Sequence, residues 1–205
     1  MGLLMVVRQD FMEIARQVRQ GARVLDIGCG EGALLELLAR EKQVDGRGIE
    51  ISPEGVSACL ARGVSVVQGD ADRDLDDFPK GAFDYAILSQ TLQAVQRPKH
   101  VLEQLLRIAD QAIVSFPNFG QWRVRWDLMI HGRMPVTGAL PDPWWATSNI
   151  HLCTLHDFTG LCDTLSLRID ACAALAGDKP ARRIDPKRGL ENWRAEAALF
   201  VLSRR

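Results

Sequence analysis

Arg23-Val24-Leu25-Asp26-Ile27-Gly28-Cys29-Gly30-Glu31-Gly32-Ala33-Leu34-Leu35 is the stretch that decides how the remainder of this 205-residue chain is read. Its apolar opening reads as a buried strand, its alternate glycines as a tight turn and its Ala-Leu-Leu end as the start of a helix. A turn without Cβ atoms lets a ligand approach the backbone, and the following helix aims unpaired N–H groups at whatever sits there. The pattern is that of a nucleotide-type cofactor site.

The glycines alone do not choose the cofactor, because Gly28-x-Gly30-x-x-Ala33 also fits the dinucleotide fingerprint. Neighbouring residues narrow the choice. Asp26 stands two residues before the first glycine, Gly32 adds a third, and Glu50 follows Gly30 by 20 residues at the end of the next apolar run. Val66-Val67-Gln68-Gly69-Asp70 then ends a third strand with an acid. This series resembles the S-adenosylmethionine (SAM) site of class I methyltransferases. The resemblance implies a loop of Gly28, Cys29, Gly30 and Gly32 beneath the amino-acid end of SAM, with Glu50 at the ribose hydroxyls and Ile51 after it as a further cofactor-binding position. It places Asp70 with Ala71 at adenine, and Ser89 after the fourth strand near the methyl group. The chemistry agrees: a carboxylate is acceptor-only and takes two hydroxyl donors at once, and one at Asp26 suits ammonium and sulfonium charge. The plainer readings are a strand-end acid for Asp26 and an N-cap acid for Glu50.

The length supports one sizeable core and one domain over residues 1–205. With 25 basic against 26 acidic residues, no global field favours nucleic acid or an anionic membrane. No apolar run approaches the ~20 residues of a membrane span. Met1-Gly2-Leu3-Leu4-Met5 lacks the charged start and long apolar centre of a signal peptide, so a cytoplasmic location is expected. Cys29, Cys59, Cys153, Cys162 and Cys172 show neither C-x-x-C pairing nor histidine spacing, which favours reduced thiols over disulfides or zinc.

Residues 8 to 19 place Phe11, Ile14, Ala15 and Val18 at helical spacing, and a leucine stripe follows Gly32. Strands are expected at 46–51, 64–68, 83–88, 112–116, 167–173 and 196–202, with helices between them; Ser52-Pro53 is a natural helix start and Thr154 another. Short alternation of strand and helix argues for a parallel sheet with right-handed crossovers, closed by an antiparallel last strand. Residues 71–79, rich in aspartate, read as a solvated turn and residues 177–189 as a basic, solvated loop. Ser89-Gln90-Thr91 carries only neutral hydrogen-bonding groups, unlike the Asn/Asp-Pro-Pro-aromatic signature of methyltransferases that act on base amino groups. His151 is either a general base or a structural hydrogen-bonder.

Residues 117–149 hold four of the five tryptophans together with Arg123, Arg125 and Arg133. They read as padding for the sheet, a cap over the site or an exposed recognition surface; arginine beside tryptophan suits anion binding and protein hot spots alike.

Beyond the glycine motif, Ser-Phe-Pro-Asn-Phe-Gly, Gly-Arg-Met-Pro-Val-Thr and Asn-Ile-His-Leu-Cys-Thr (115–120, 132–137 and 149–154) resemble the methionine biosynthesis protein MetW family. The resemblance implies a single Rossmann-like class I methyltransferase domain with a mostly parallel seven-stranded sheet, an antiparallel last strand and helices on both faces. It implies SAM or S-adenosylhomocysteine as the bound cofactor and homoserine O-acyltransferase as a partner, and it carries over no catalytic residue. Two roles follow: a methyltransferase on a small-molecule acceptor, or a SAM-sensing partner that activates the acyltransferase through segment 117–149. The absence of an acid or imidazole in 88–92 favours the second.

Overall fold

The computed structural model describes residues 8–177 and 179–205, so the Met1-to-Met5 stretch read for a signal peptide lies outside the described residues. Short apolar runs become β1 (Arg23–Ile27), β2 (Asp45–Glu50), β3 (Ser65–Gln68), β4 (Phe83–Ser89), β5 (Ala109–Pro117), β6 (Leu167–Ala176), β7 (Lys179–Arg183) and β8 (Ala197–Arg204). They form one sheet in the order β3-β2-β1-β4-β5-β8-β6-β7. The first five strands pair in parallel, while β8 runs antiparallel between β5 and β6.

Helices cover both faces, as the continuous apolar character of the central strands requires. Helices α1 (Gln9–Gln17) and α2 (Ala33–Lys42) bury Ile14, Leu34, Leu35 and Leu38 against Val24, Ile87, Ile113 and Val201. The other face packs Leu25, Leu88, Phe116 and Phe200 against α4 (Pro98–Ile108) and α6 (Leu155–Thr164). Phe116, Phe158 and Phe200 form an aromatic knot with ring centroids 4.7–5.6 Å apart. Helix α3 (Pro53–Ala61) starts as the sequence indicates: Ser52 Oγ accepts the Gly55 N–H at 2.9 Å, with Pro53 at the first helical position.

Two expectations change. The sheet has eight strands, because part of the basic 177–189 stretch is edge strand β7, antiparallel to β6. Within it Ala181 packs on the core while Arg182 pairs with Glu191 on α7 (Gly189–Arg194) at 2.5 and 3.1 Å. Only Ala181 of the five residues is partly buried, so no alternation marks the strand, and its charges are those that discourage edge-to-edge pairing. The aspartate-rich stretch is not wholly solvated either. It holds a 3-10 turn at Asp74–Asp77, and buried Asp72 accepts the N–H groups of Gln96 and Arg97 at 2.8 and 2.7 Å.

The strings outside the glycine motif have structural reasons. Asn118, fully buried at the end of β5, donates to the carbonyls of Asn192 and Ala195 at 2.8 Å each. Its Oδ1 accepts the N–H groups of Gly120 at 2.9 Å and Leu155 at 3.3 Å. A Cβ at Gly120 would lie 2.5 Å from Asn192 Oδ1, so the turn needs glycine for close approach. Thr154 and Asp157 form a reciprocal capping box at the start of α6. Gly132 caps α5 (Trp122–His131).

Asn118 thus joins β5, α6 and α7 in one buried network, and Asn118→Ala strands several polar groups at once. At about 1–3 kcal/mol per unsatisfied group, we expect a loss of roughly 2–4 kcal/mol in urea unfolding; an unchanged midpoint would contradict the network's structural weight.

Candidate functional site

Strand β1 lies between β2 and β4, and the order of connections reverses there, so a crevice opens beyond the strand carboxyl ends. The glycine turn fills its floor. Gly28, Gly30 and Gly32 have φ of +69°, +56° and +79°, values that side-chain-bearing residues seldom adopt. The N–H of Gly28 donates to the Ile49 carbonyl at 2.8 Å, and a Cβ at Gly28 would lie 2.7 Å from Thr91 Cγ2. At Gly30 a Cβ would meet nothing within 4 Å, leaving that side of the turn open.

Glu50 ties this turn to the neighbouring helix. Its buried carboxylate accepts the Gly30 N–H at 2.8 Å on one oxygen and the Ser52 N–H at 2.9 Å on the other. Each oxygen retains a further lone pair for a ligand hydroxyl. Asp26, by contrast, is 2% exposed and its Oδ1 has no hydrogen-bond partner. Burial raises its pKa to about 7; the Arg8 guanidinium opposes the shift, and the Asp10 and Glu50 charges add to it.

A cleft of about 180 Å³ runs beside the turn, bordered by Gly28, Ile51, Asp70, Ala71 and Thr91. The structure therefore brings Gly28, Ile51, Asp70 and Ala71 together as the sequence suggests, with Glu50 and Asp26 behind the turn. Asp70 is shaped locally: its Oδ1 accepts the Asp72 N–H at 2.9 Å and its own N–H is held by Asp74 at 2.6 Å.

The side chains of two expected cofactor residues have partners within the protein. The Cys29 side chain turns away from the open side of the loop, packing on Gly48 with its Sγ 3.7 Å from Cys59 Sγ; burial pushes its pKa up, as for an inert thiol. Only its backbone is left to meet a ligand at the turn. The Ser89 hydroxyl donates to Asp10 Oδ2 at 2.7 Å and accepts from Arg8 at 3.2 Å, so it is engaged with α1 rather than with the cleft.

Asp10 is the acid that sequence reasoning missed. It is buried and takes hydrogen bonds from Arg8 at 2.5 and 3.1 Å and from Ser115 at 3.3 Å. An acid on the buried face of an amphipathic helix, one turn before Ile14, was the available signal. His151 is exposed and its Nε2 lies 3.3 Å from the Gln96 carbonyl, while the N–H groups of Ile150 and His151 donate to the Gln93 carbonyl. These bonds fasten segment 149–151 to the loop after β4, and His151 borders neither the cleft beside the glycine turn nor the cavity beside Gln90.

The tryptophan-rich segment does not pad the sheet. Only Val124 of α5 is buried, and Trp126, Trp144 and Trp145 are 56%, 71% and 73% exposed. Met129, Ile130 and Met134 of the same segment are exposed as well. Arg123 stacks over Trp122 at 5.4 Å and Arg125 over Trp193 at 5.7 Å. Among the described residues no group of acids, histidines and cysteines is placed to hold a metal ion, and no helix is long and apolar enough to cross a membrane.

Comparison with known proteins agrees with this geometry. Residues 8–202 match the family model for methionine biosynthesis protein MetW. The bifunctional methionine biosynthesis protein MetXA/MetW of Rhodopirellula baltica is 32% identical over 98% of this chain, which spans only 33% of that protein. A ubiquinone biosynthesis O-methyltransferase of Xanthomonas oryzae is 36% identical over 50% of the chain, covering 44% of that enzyme. In fold, a SAM-dependent methyltransferase from Archaeoglobus fulgidus superposes with a TM-score of 0.70 at 16% identity, over 99% of this chain and 95% of that one.

Asp26 gives a pH test of the site. Its folded pKa, about 7 against an ordinary 3.8, means that the native state holds a proton the unfolded chain releases in between. Its contribution is complete below about pH 4 and is lost as pH rises to 7, amounting to roughly 3–4 kcal/mol at ~1.4 kcal/mol per unit. Relative to Asp26→Asn, the ligand-free wild type should therefore lose urea stability across pH 4–7. A constant difference between the two proteins would remove the buried-carboxylate account.

Proposed function

The chain belongs to the methionine biosynthesis protein MetW family, and from that premise we propose that it binds SAM or S-adenosylhomocysteine and acts as an activating partner of homoserine O-acyltransferase. Cofactor binding rests chiefly on Asp26: a buried carboxylate without a partner, behind an open glycine turn, is a costly arrangement that a cationic ligand relieves. In this reading Asp26 and the turn of Gly28, Cys29, Gly30 and Gly32 face the amino-acid end of SAM, the remaining lone pairs of Glu50 take the ribose hydroxyls, and Ile51, Asp70 and Ala71 border adenine.

The partner role is supported by two facts. The Rhodopirellula relative carries both the MetXA and the MetW names on one chain. The segment exposes Trp126, Met129, Trp144 and Trp145, the aromatic and methionine content of protein interfaces, and carries Arg123 and Arg125 stacked on tryptophan rings. Segment 117–149 is accordingly the surface we assign to the acyltransferase, on a single domain of residues 1–205 working in the cytoplasm.

A second reading, methyl transfer to a small acceptor, is favoured by an open cavity beside Gln90. When bound, SAM supplies an electrophilic methyl group on sulfonium sulfur. The chain's own contribution would be orientation and exclusion of water, since Ser89-Gln90-Thr91 offers no strong base.

Two measurements bear on the proposal. Glu50→Ala should weaken SAM binding by roughly 1.5–3 kcal/mol in calorimetry, the scale of lost charge-assisted hydrogen bonds; unchanged affinity would take Glu50 out of the site. A tagged chain should retain the cognate homoserine O-acyltransferase on a column, and the double variant Trp126→Ala, Trp144→Ala should release it while binding SAM normally. Failure of the wild type to retain the enzyme would overturn the partner role.

A further inference from the structure

A second cavity, of about 590 Å³, opens on the other side of the β4 carboxyl end. Thr91 borders the cofactor cleft, while Gln90, one residue earlier, borders this cavity. Gln90 has φ of +55°, in the left-handed region, and its N–H is held by the carbonyl and hydroxyl of Ser115 at 3.0 and 3.1 Å. That backbone turn is what separates the two spaces.

The charges around the cavity are unequal. Arg8 gives both its Nε and one Nη to Asp10, so these two cancel. Glu196, half-buried at the opposite wall, has no hydrogen bond or ion pair to its carboxylate among the described residues. It also borders a smaller adjoining cavity of about 140 Å³. Glu196 is therefore an unmatched acid on a space that it shares with Gln90 and the Arg8–Asp10 pair and whose walls at Ala139, Pro141, Leu175 and Ala197 are apolar. A half-buried carboxylate without a counter-charge calls for a ligand that brings positive charge and N–H donors. Among the described lining residues an anion would meet Glu196 with no cation to offset it except Arg8, which is paired with Asp10.

We propose that this cavity binds a small molecule bearing a protonated amine on a short aliphatic body, with Glu196 pairing the ammonium group. The site goes beyond the partner role, and it needs neither methyl transfer nor the acyltransferase to be occupied.

Butylamine, butanol and butyrate are suitable probes, titrated against the full chain with the amide signals of Ala139, Ala176 and Ala197 followed by NMR. Butylamine should give saturable shifts, weakened about tenfold by Glu196→Gln, a loss of ~1.4 kcal/mol for the charged contact. Butyrate should give none, and butanol should bind more weakly than the amine. Equal binding of butanol or butyrate, no saturable shift with butylamine, or an undiminished response in Glu196→Gln would each overturn the proposal. SAM calorimetry on Glu196→Gln checks that the fold and the cofactor cleft are intact, so failure here is distinguishable from failure of the SAM reading.

Discussion

The carboxylate of Glu50, shared between the N–H groups of Gly30 and Ser52, fixes the geometry on which the site depends. A glycine turn with three left-handed residues has little intrinsic preference for one shape, since glycine loses more conformational freedom on folding than any other residue. Two charge-assisted bonds to a buried acid remove that freedom. They also set the turn against the end of β2 and the start of α3, where Ser52 caps the helix. The Cβ side of Gly30 is left free of neighbours while its N–H is held in this way.

Asp26 shows what the same arrangement costs. A carboxyl group buried beside β1 without a full set of partners destabilises the ligand-free fold whenever it is ionised, and the neighbouring Asp10 and Glu50 charges deepen the penalty. Arg8 offsets part of it across the top of β4, through Asp10 and Ser89. Glu50 on the turn and Asp26 beneath it, where ionised, amount to a negative field that a cationic ligand relieves. Such local conflicts between stability and binding are expected where a site is built for a ligand.

Most of the fold was legible because strand and helix periods are local. The run of residues 24–27, the Ser52-Pro53 start and the Thr154 cap all fell where the chain pattern placed them. Strand β7 was hidden because edge strands carry charge, and Asp72 because a buried acid bound to backbone N–H groups looks like any other aspartate in a polar run. Within the site, Gly28, Ile51, Asp70 and Ala71 follow from motif spacing. Cys29 and Ser89 do not behave as their positions suggest, since their side chains are claimed by Cys59 and Asp10 from distant parts of the chain. Asp10 and Glu196 carry no local signature at all; their meaning comes from what the tertiary fold places opposite them. The tryptophans of 117–149 were ambiguous because composition does not tell a padded ring from an exposed one.

The exposed aromatic face and the cofactor turn lie on one chain, and the account holds that both serve a second enzyme. The most direct test is the rate of acyl transfer by the cognate homoserine O-acyltransferase at fixed SAM, with and without this protein. The account predicts a large gain in rate when the protein is added. An unchanged rate, from a preparation shown to bind SAM, would contradict it.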